Sequence, residues 1–302
     1  MNSGEIIKKI RLGMGLSQED FATKLHVSSR QVPRIENGTA SMSMWKFMYM
    51  IELLDRPTEE LWLLYLDTEE YDGYKKYVKL KRLLSNRLFD EAKDILPEFE
   101  KGVLSKQPTA RQYLAYAKIV INKEDMSHEK VIDELFLAMR ISKPNFEENK
   151  ITEYRMTHNE LYIANTIANT LYKIGEKDRS IKLAKGLIES MENSGVSEED
   201  KAILFPLLMT NLSTNLGRSG KIKEALKVCN RALEICREYN NFKYVHHISY
   251  NIAYCYKELG EEEQVYKTHL VRAYHSACAV HNHKDAVIIK NDAKKSFGIT
   301  LS

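Results

Sequence analysis

The chain has 302 residues, 43% of them hydrophobic, and its 45 lysines and arginines nearly balance 42 acidic residues, for a net charge of +3. This length predicts two domains or an elongated repeat array, with enough apolar content for cores that need no metal or disulfide. The near-neutral charge excludes a protein that binds nucleic acid or membrane through its overall field. Any DNA binding must therefore be local.

The residue content narrows the class further. None of the four cysteines forms a CxxC pair, which favours buried, reduced thiols. Glycine and proline are scarce, and no alternating Val/Ile/Thr segment is bounded by turn residues, so we predict an all-α fold. The start, MNSGEIIKKIRLG, has no apolar signal core, and the most apolar run, AILFPLLM, is too short to span a bilayer. We therefore expect a cytoplasmic protein.

The N-terminal region, residues 1–66, reads as a series of short helices. Turn residues separate the five helical segments EIIKKIRLGMG, SQEDFATK, SSRQVPRIEN, SMWKFMYMIELL and TEELWLLYL. Ser17 is the expected N-cap of the second helix with Asp20 as its capping-box partner, and Ser28 or Ser29 is the expected cap of the third. Two capped helices joined by a tight turn are the arrangement of a helix-turn-helix.

The segment SQEDFATKLHVSSRQVPRIENG resembles the Cro/repressor-type, XRE-like family of helix-turn-helix domains. The matching features are Gln18, Ala22, the apolar Leu25, Val27, Val32 and Ile35, and the ending Arg34-Ile35-Glu36-Asn37-Gly38. The segment departs from the family at His26, where a glycine is preferred in the turn, and at Pro33 inside the second helix. Proline removes a helix hydrogen bond, so we expect a kinked or shortened reading helix.

This resemblance implies which residues meet DNA. The second helix enters the major groove in this family, so Ser29, Arg30 and Arg34 are the expected base readers, and each arginine can bind a guanine through two hydrogen bonds. The expected phosphate contacts are Gln18, Ser28, Gln31 and Asn37. Glu36 is expected to pair with Arg11 and to support the fold, not to touch DNA.

Further along the chain, three segments repeat the order helix, glycine, charged turn, helix. They are LYKIGEKDRSIKLAKGLIE, NLGRSGKIKEALKVCNRALEI and CYKELGEEEQVYKTHLVRAY, and the glycines Gly175, Gly220 and Gly260 are spaced by 45 and 40 residues. LLSNRLFDEAKDILPEF and SHEKVIDELFLAMRIS are degenerate earlier units.

These units resemble the tetratricopeptide repeat, in which small residues let paired helices pack closely. Those positions are Ala168, Ser213 and Ala253 in the first helices and Ser180, Ala225 and the bulkier Val265 in the second helices. The predicted architecture is a five-helix domain at 1–66, a linker at 67–75, and a right-handed superhelix of about five degenerate helix pairs at 76–302.

Stacked pairs place one face of each first helix on a concave wall. Counting back from the glycines assigns to that face Tyr162, Asn165, Asn169 and Lys173, then Thr210, Asn211, Thr214, Asn215 and Arg218, then His247, Tyr250, Asn251, Tyr254 and Lys257. A side-chain amide offers both a donor and an acceptor, so repeated asparagines can hold the N–H and C=O groups of an extended peptide. Tyrosines would form rigid walls, and the cations would bind a carboxylate. We therefore predict a peptide-binding groove.

No catalytic, cofactor or metal site is expected. The sequence has no Gly-rich phosphate loop, nucleophile elbow or carboxylate pair in a defined frame. Five histidines gather near Cys278, namely His246, His247, His275, His281 and His283. No two of them stand at i, i+4 with an acidic third ligand, which is the pattern that predicts a zinc site.

A Cro-type domain followed by a peptide-binding helical array resembles the RRNPP group of regulators, most of all its PlcR-like branch. In the array, the pieces IANTIANTLYKIG and RALEICREYNN support the resemblance. It implies a quorum-sensing transcriptional regulator that binds a palindromic operator as a homodimer and is controlled by a short, re-imported signalling peptide. By implication Asn165, Asn169, Asn211 and Asn251 bind the peptide backbone.

Two other functions stay open. The array would bind a protein antirepressor in a phage-type repressor, and a gene for a short secreted peptide beside this one would argue against that function. Alternatively the array would inhibit a partner enzyme, as the phosphatase-like relatives without a DNA-binding domain do. The intact helix-turn-helix argues against this second alternative.

Overall fold

The computed structural model describes residues 3–40, 68–102, 108–193, 198–280 and 282–301. Over these ranges the chain is helical and contains no β-strand, so the predicted all-α fold is confirmed. The chain divides into two compact units, Met1–Leu114 and Ala115–Ser302. A helix covers Thr68–Ser85 and therefore includes most of the segment predicted as a linker. The predicted domain limits stay predictions.

The first unit begins with three short helices that form the helix-turn-helix region. They are α1 (Ser3–Gly13), α2 (Gln18–Lys24) and α3 (Gln31–Glu36), followed by the longer α4 (Thr68–Ser85), α5 (Phe89–Lys101) and α6 (Pro108–Asn122), whose residues after Leu114 belong to the second unit. The segments SMWKFMYMIELL and TEELWLLYL, predicted as the fourth and fifth helices, lie outside the described residues.

The second unit continues with α7 (His128–Arg140), α8 (His158–Lys173), α9 (Lys177–Asn193), α10 (Glu198–Arg218), α11 (Ile222–Glu238), α12 (Val245–Glu258), α13 (Glu263–Ala279) and α14 (His283–Phe297). Short 3-10 helices cover Lys123–Asp125 and Glu148–Glu153. Helices α8 and α9, α10 and α11, and α12 and α13 pack as pairs, and the first helices α8, α10 and α12 also contact one another in that order. The last helix, α14, packs on α13. None of the described helices is long and apolar enough to cross a membrane.

Each of these three pairs turns at the glycine that marks the repeat. Gly175, Gly220 and Gly260 have φ angles of 91°, 74° and 76°, in the left-handed region that glycine enters without steric cost. The small residues predicted at the helix crossings are buried, namely Ala168, Ala253, Ala225, Ser180 and Ser213. Val265, which is larger, stays partly exposed. The turn and packing signals read from the sequence therefore correspond to real helix pairs.

A proline lies inside α10, where its effect on the helix is compensated from outside. Pro206 has no N–H, so the carbonyl of Ala202 loses the donor that a regular helix supplies. Asn241, which follows α11, donates its Nδ2 to that carbonyl at 2.9 Å. The Asn241 side chain, from the segment after α11, thus replaces the missing hydrogen bond of α10.

The four cysteines are free thiols, as predicted. Cys229, Cys236 and Cys255 are buried as predicted, whereas Cys278 is partly exposed, so the prediction that it is buried is wrong. Burial raises the pKa of Cys236 to about 11. The Cys236 thiol therefore stays protonated at neutral pH and behaves as a small apolar core residue.

Candidate functional site

The start of α2 is fixed by the predicted capping box. The Ser17 hydroxyl accepts a hydrogen bond from the Asp20 N–H at 3.0 Å, and the Asp20 carboxylate accepts one from the Ser17 N–H at 3.1 Å. Hydrogen bonds from the side chain and backbone of Ser17 lower the pKa of Asp20. In the turn that follows, His26 has a φ of 52°, so histidine adopts the backbone for which the family prefers glycine.

The reading helix α3 begins later than predicted. Ser29 and Arg30 lie in the turn before it, and no side chain caps it, so the expected cap from Ser28 or Ser29 is wrong. Instead, the Ser28 N–H donates to Oε1 of Gln31 at 3.3 Å. Pro33 falls in the first turn of the helix, where N–H groups have no partner within the helix, so its ring is accommodated.

The residues predicted to contact DNA are largely available at the surface. Ser28, Ser29, Arg30, Gln31, Arg34 and Asn37 are all exposed. Val32 and Ile35 are buried and hold the opposite side of α3 in the core of the unit. Arg34 stands on the helix, whereas Arg30 stands one residue before it. Their DNA contacts stay predictions.

Glu36 is the centre of a buried polar network that fixes α3. Its carboxylate accepts hydrogen bonds from Arg11 at 2.6 and 3.2 Å and from the Gln18 side chain at 2.8 Å. Burial raises the pKa of Glu36, but the hydrogen bonds from Arg11 and Gln18 outweigh it, so the net pKa is lowered. The predicted pairing of Arg11 with Glu36 is confirmed. Part of the Gln18 amide is thereby used inside the domain, which leaves its backbone N–H and second amide hydrogen for the predicted phosphate contact.

A cavity of about 460 Å³ lies among α10, α12 and α14. Six residues predicted to bind a peptide line it, namely Thr214, Arg218, His247, Tyr250, Asn251 and Tyr254. Helix α14 adds Asp285, Ile288, Ile289 and Asp292 to the wall, and sequence reasoning missed these four residues. The sequence signal that was available is the apolar run AVII in an otherwise polar helix. In the structure Val287 and Ile288 of this run are 58% and 53% exposed, so the run does not serve the core alone.

The remaining predicted peptide residues lie on α8 and at its contact with α10, and they do not line this cavity. Asn211 donates its Nδ2 to Oδ1 of Asn165 at 3.1 Å, and Asn165 is only 7% exposed. Neither the Asn165 Nδ2 nor the Asn211 Oδ1 has a hydrogen-bond partner among the described residues. Asn169 is half-buried, and Lys173 is exposed. The Asn165–Asn211 pair therefore still offers one donor group and one acceptor.

A second asparagine joins the next two first helices. The Asn251 Nδ2 donates to the Thr214 and Ser213 hydroxyls, each at 2.9 Å, and lies 3.3 Å from the Thr210 carbonyl oxygen. The Thr214 hydroxyl in turn donates to the Thr210 carbonyl at 2.9 Å. The asparagines thus link α8 to α10 and α10 to α12, a structural role that the repeat pattern did not indicate.

Two other residues assigned to this face are used inside the fold. Asn215 is 5% exposed and donates to the Ser180 hydroxyl of α9 at 3.2 Å. Lys257 donates its Nζ to the Ser296 carbonyl and lies 5.0 Å from the centre of the Phe297 ring. Neither side chain is therefore a simple groove-lining group.

The tyrosines of this face are neutral hydrogen-bonding groups. Burial, with the neighbouring Tyr244 and Tyr116, raises the pKa of Tyr162 far above its usual value. Burial also raises the pKa of Tyr254. Tyr250 donates its hydroxyl to the Asp292 carboxylate. At neutral pH the phenols of Tyr162 and Tyr254 therefore stay protonated.

Two adjacent histidines of α12 meet one carboxylate of α14. The Oδ2 of Asp285 lies 3.2 Å from Nε2 of His246 and 3.1 Å from Nε2 of His247. Asn282, the N-cap of α14, donates its Nδ2 to the same oxygen at 2.6 Å and accepts the Asp285 N–H at 3.2 Å. Asp285 and His246 are buried, and His247 is half-buried. We call these two histidines and Asp285 the His–His–Asp cluster.

Family comparisons match both regions of the chain. A model of the RNPP family C-terminal domain matches residues 78–285, and a helix-turn-helix model matches residues 7–48. No curated protein sequence matches the chain significantly.

Several solved structures share the fold. Bacillus thuringiensis PlcR in complex with the peptide PapR7 and DNA has 20% identity and a TM-score of 0.78, over 96% of this chain and 99% of that one. ComR from S. thermophilus in complex with DNA and its signalling peptide ComS has 18% identity and a TM-score of 0.65, over 99% and 100%. The Streptococcus dysgalactiae SHP pheromone receptor Rgg2 has 12% identity and a TM-score of 0.65, over 98% and 99%.

Proposed function

Because this chain belongs to the RNPP family and also matches a helix-turn-helix model, we propose that it is a cytoplasmic quorum-sensing transcriptional regulator and not an enzyme. It binds a palindromic operator as a homodimer and responds to a short, re-imported signalling peptide held by the helical array. The observation that supports this proposal most is the cavity of about 460 Å³ lined by residues that the repeat pattern had assigned to a peptide site. Its volume lies in the usual range of ligand pockets.

The DNA-binding half of the proposal rests on α3. Buried Val32 and Ile35 hold one side of this helix, and the network around Glu36 holds its end, so the exposed side is presented rigidly. Arg34 lies on that side of the helix, and Arg30 lies just before it. The planar guanidinium of an arginine carries a pair of donors that fits O6 and N7 of guanine. Ser28, Ser29, Gln31, Asn37 and Gln18 supply the remaining contacts to bases and phosphates.

The peptide-binding half rests on the polar groups around the cavity. The exposed cation Arg218 would bind a carboxylate of the ligand, and the neutral phenol of Tyr254 offers an amphipathic wall. The Oδ1 of Asn251 accepts no hydrogen bond from the described residues and is an acceptor for a peptide N–H. Farther along the same succession of first helices, the Asn165–Asn211 pair offers its donor and acceptor to the ligand backbone.

The ligand is therefore an extended peptide of roughly 5–10 residues, a length that the family resemblance implies, with a rise of about 3.3 Å per residue. PlcR and ComR, which share this fold, were solved with a bound peptide and DNA, and this supports the same pair of ligands here.

The experiment is native mass spectrometry of the full chain purified from its own host, followed by fragmentation of any bound species. We expect a complex whose added mass corresponds to one short peptide per chain, lost when the protein is denatured. As a matched comparison, the Arg218→Ala variant should be purified in the same way and should retain less peptide. Recovery of a bound protein in place of a peptide would contradict the proposal and favour an antirepressor.

A further inference from the structure

The His–His–Asp cluster has the donor set of a metal site. His246, His247 and Asp285 each offer one ligand atom, and these atoms all lie within 4.8 Å of one another. We propose that the cluster binds one divalent transition-metal ion of the zinc class at the wall of the cavity. This inference goes beyond the proposed regulator function, and it does not depend on the identity of the peptide.

The distances fit such an ion. Zinc binds histidine nitrogen and carboxylate oxygen at about 2.0–2.2 Å in a tetrahedron, which sets neighbouring ligand atoms about 3.3 Å apart. The Asp285 Oδ2 already lies 3.2 and 3.1 Å from the Nε2 atoms of His246 and His247. An ion between them therefore requires only small side-chain adjustments.

The chemistry of the donors selects the class of ion. Two imidazoles with one carboxylate suit zinc and neighbouring transition metals, whereas calcium and magnesium prefer sites made of oxygen ligands. Three protein ligands leave one coordination position for water or another ligand. His247 and Asp285 line the cavity, so a carboxylate of a molecule in the cavity is a candidate for that position.

The surroundings hold the carboxylate in place. Asn282 donates to the Asp285 Oδ2 at 2.6 Å and accepts the Asp285 N–H at 3.2 Å, so it orients both the side chain and the start of α14. Such outer hydrogen bonds are typical supports of metal-binding carboxylates. The side chains of Asp285 and His246 are 8% and 3% exposed, so an ion bound here would interact with the Asp285 carboxylate in a poorly solvated site, where their attraction is stronger than in water.

The sequence did not indicate this site because its ligands are not arranged as a local motif. The two histidines are adjacent in α12, and the carboxylate comes from α14, 39 residues after His246. Only the packing of the last helix brings the three groups together.

The test uses metal-free, full-length protein titrated with zinc chloride in a calorimeter, and with Co²⁺ while its visible absorption is recorded. We expect one zinc ion per chain and the intense bands of tetrahedral Co²⁺. His247→Gln and Asp285→Asn should each weaken zinc binding by about 10-fold or more. His275→Gln is the matched control, because His275 is an exposed histidine of α13 outside the cluster, and it should bind zinc as the wild type does.

Two results would overturn the inference. The first is wild-type protein without a stoichiometric zinc site or tetrahedral Co²⁺ spectrum, which would leave the cluster as a hydrogen-bonded network. The second is an equal loss of zinc affinity in His275→Gln. Thermal melts of all variants identify any that fail to fold, and the Co²⁺ spectrum of the wild type tests the site without any substitution. DNA and peptide binding do not enter these readouts, so the proposed function is tested separately.

Discussion

Asn211 donates its side-chain amide to Asn165 over 3.1 Å, so the asparagines of two neighbouring first helices hold each other. Asparagine is a poor helix former, and its cost in α8 and α10 is offset by this link between the helices. Asn251 makes the equivalent link from α12 to Ser213 and Thr214. These amides are therefore structural groups whose remaining donor and acceptor are available to a ligand.

Replacing Asn165 should reduce the stability of the folded chain. Asn165→Ala removes the hydrogen bond to Asn211, and we expect a loss of about 1 kcal/mol in the free energy of unfolding, less the few tenths that alanine returns as the better helix former. Urea denaturation of the full chain measures this loss. Asn169→Ala is the control, because the Asn169 amide has no hydrogen-bond partner among the described residues and its removal should leave stability unchanged or slightly higher. Equal denaturation midpoints for both variants would show that the Asn165–Asn211 bond contributes nothing.

Arg218 should bind the peptide through charge. We expect Arg218→Gln to weaken binding of the identified peptide by about 1.5–3 kcal/mol, the range for hydrogen bonds to charged groups. Isothermal titration calorimetry measures the change. Arg237→Gln removes an exposed arginine that does not line the cavity and should bind with wild-type affinity. If the two variants lose affinity equally, Arg218 acts only through the net charge of the protein.

Arg34 should contribute to operator recognition. If Arg34 binds a guanine through two hydrogen bonds, Arg34→Ala costs about 1–3 kcal/mol in operator affinity and relaxes the preference at one base pair. Binding is measured by fluorescence anisotropy at fixed salt on an operator selected with the wild type. Arg140→Ala, an exposed arginine of α7, controls for lost charge. An operator bound equally by the wild type and by the double Arg30→Ala, Arg34→Ala variant would exclude α3 as the reading element.

The Glu36 network should make stability depend on acid. Hydrogen bonds from Arg11 and Gln18 lower the pKa of Glu36 in the folded state. The contribution of the Glu36 carboxylate to the free energy of unfolding is therefore complete above the usual carboxyl pKa of 4.5, and it is lost as the pH falls through the lowered pKa of the folded state. Glu36→Gln leaves the buried Arg11 charge without a carboxylate partner, and we expect a loss of about 3 kcal/mol in the free energy of unfolding near pH 7 that shrinks in acid.

Thermal melts of the full chain at neutral and acid pH measure this dependence. The control is Glu98→Gln, because Glu98 pairs with Lys76 at 3.3 Å while 66% of its side chain is exposed, and such surface pairs contribute only about 0–1 kcal/mol. If the difference in stability between the wild type and Glu36→Gln did not change with pH, an ionised Glu36 carboxylate would not be the group that stabilises the network.

The helical array should provide the main dimer contact. One reading helix covers too few base pairs for specificity, so the family reads paired half-sites. Because α4 begins at Thr68, the fragment to test is 68–302, which keeps that helix whole. Analytical ultracentrifugation at micromolar concentration should find both this fragment and the full chain as dimers. A monomeric fragment beside a dimeric full chain would place the contact in the N-terminal region.

Local signals explain which parts of the fold were predictable. Ser17 with Asp20, the Arg11–Glu36 pair and the glycines of the repeats each act over a few residues or follow a family pattern, and the structure confirms them. The cap expected for α3 was wrong because the turn extends past Ser29 before the helix begins.

The parts that were missed depend on packing between distant segments. Helix α14 has no repeat glycine before it, and its apolar run AVII indicates a packed or ligand-facing side without indicating that Asp285 and Asp292 would complete the cavity. The asparagines were recognised as unusual, but whether an amide faces a ligand or the next helix is decided by the crossing of α8, α10 and α12. Spacing along one helix does not contain that information.

Pro206 and Asn241 are coupled through a third residue. Pro206 leaves the Ala202 carbonyl without its helix donor, and the Asn241 side chain donates to that carbonyl instead. Replacing Asn241 alone would leave the Ala202 carbonyl without a donor, whereas a residue with an N–H at position 206 would restore the regular helix hydrogen bond to that carbonyl. In an alignment of close relatives, proline at position 206 should therefore occur together with asparagine or another donor at position 241. In lineages that have lost the proline, position 241 is released from this requirement and retains only the role of accepting the Lys243 N–H, which Asn241 does at 3.1 Å.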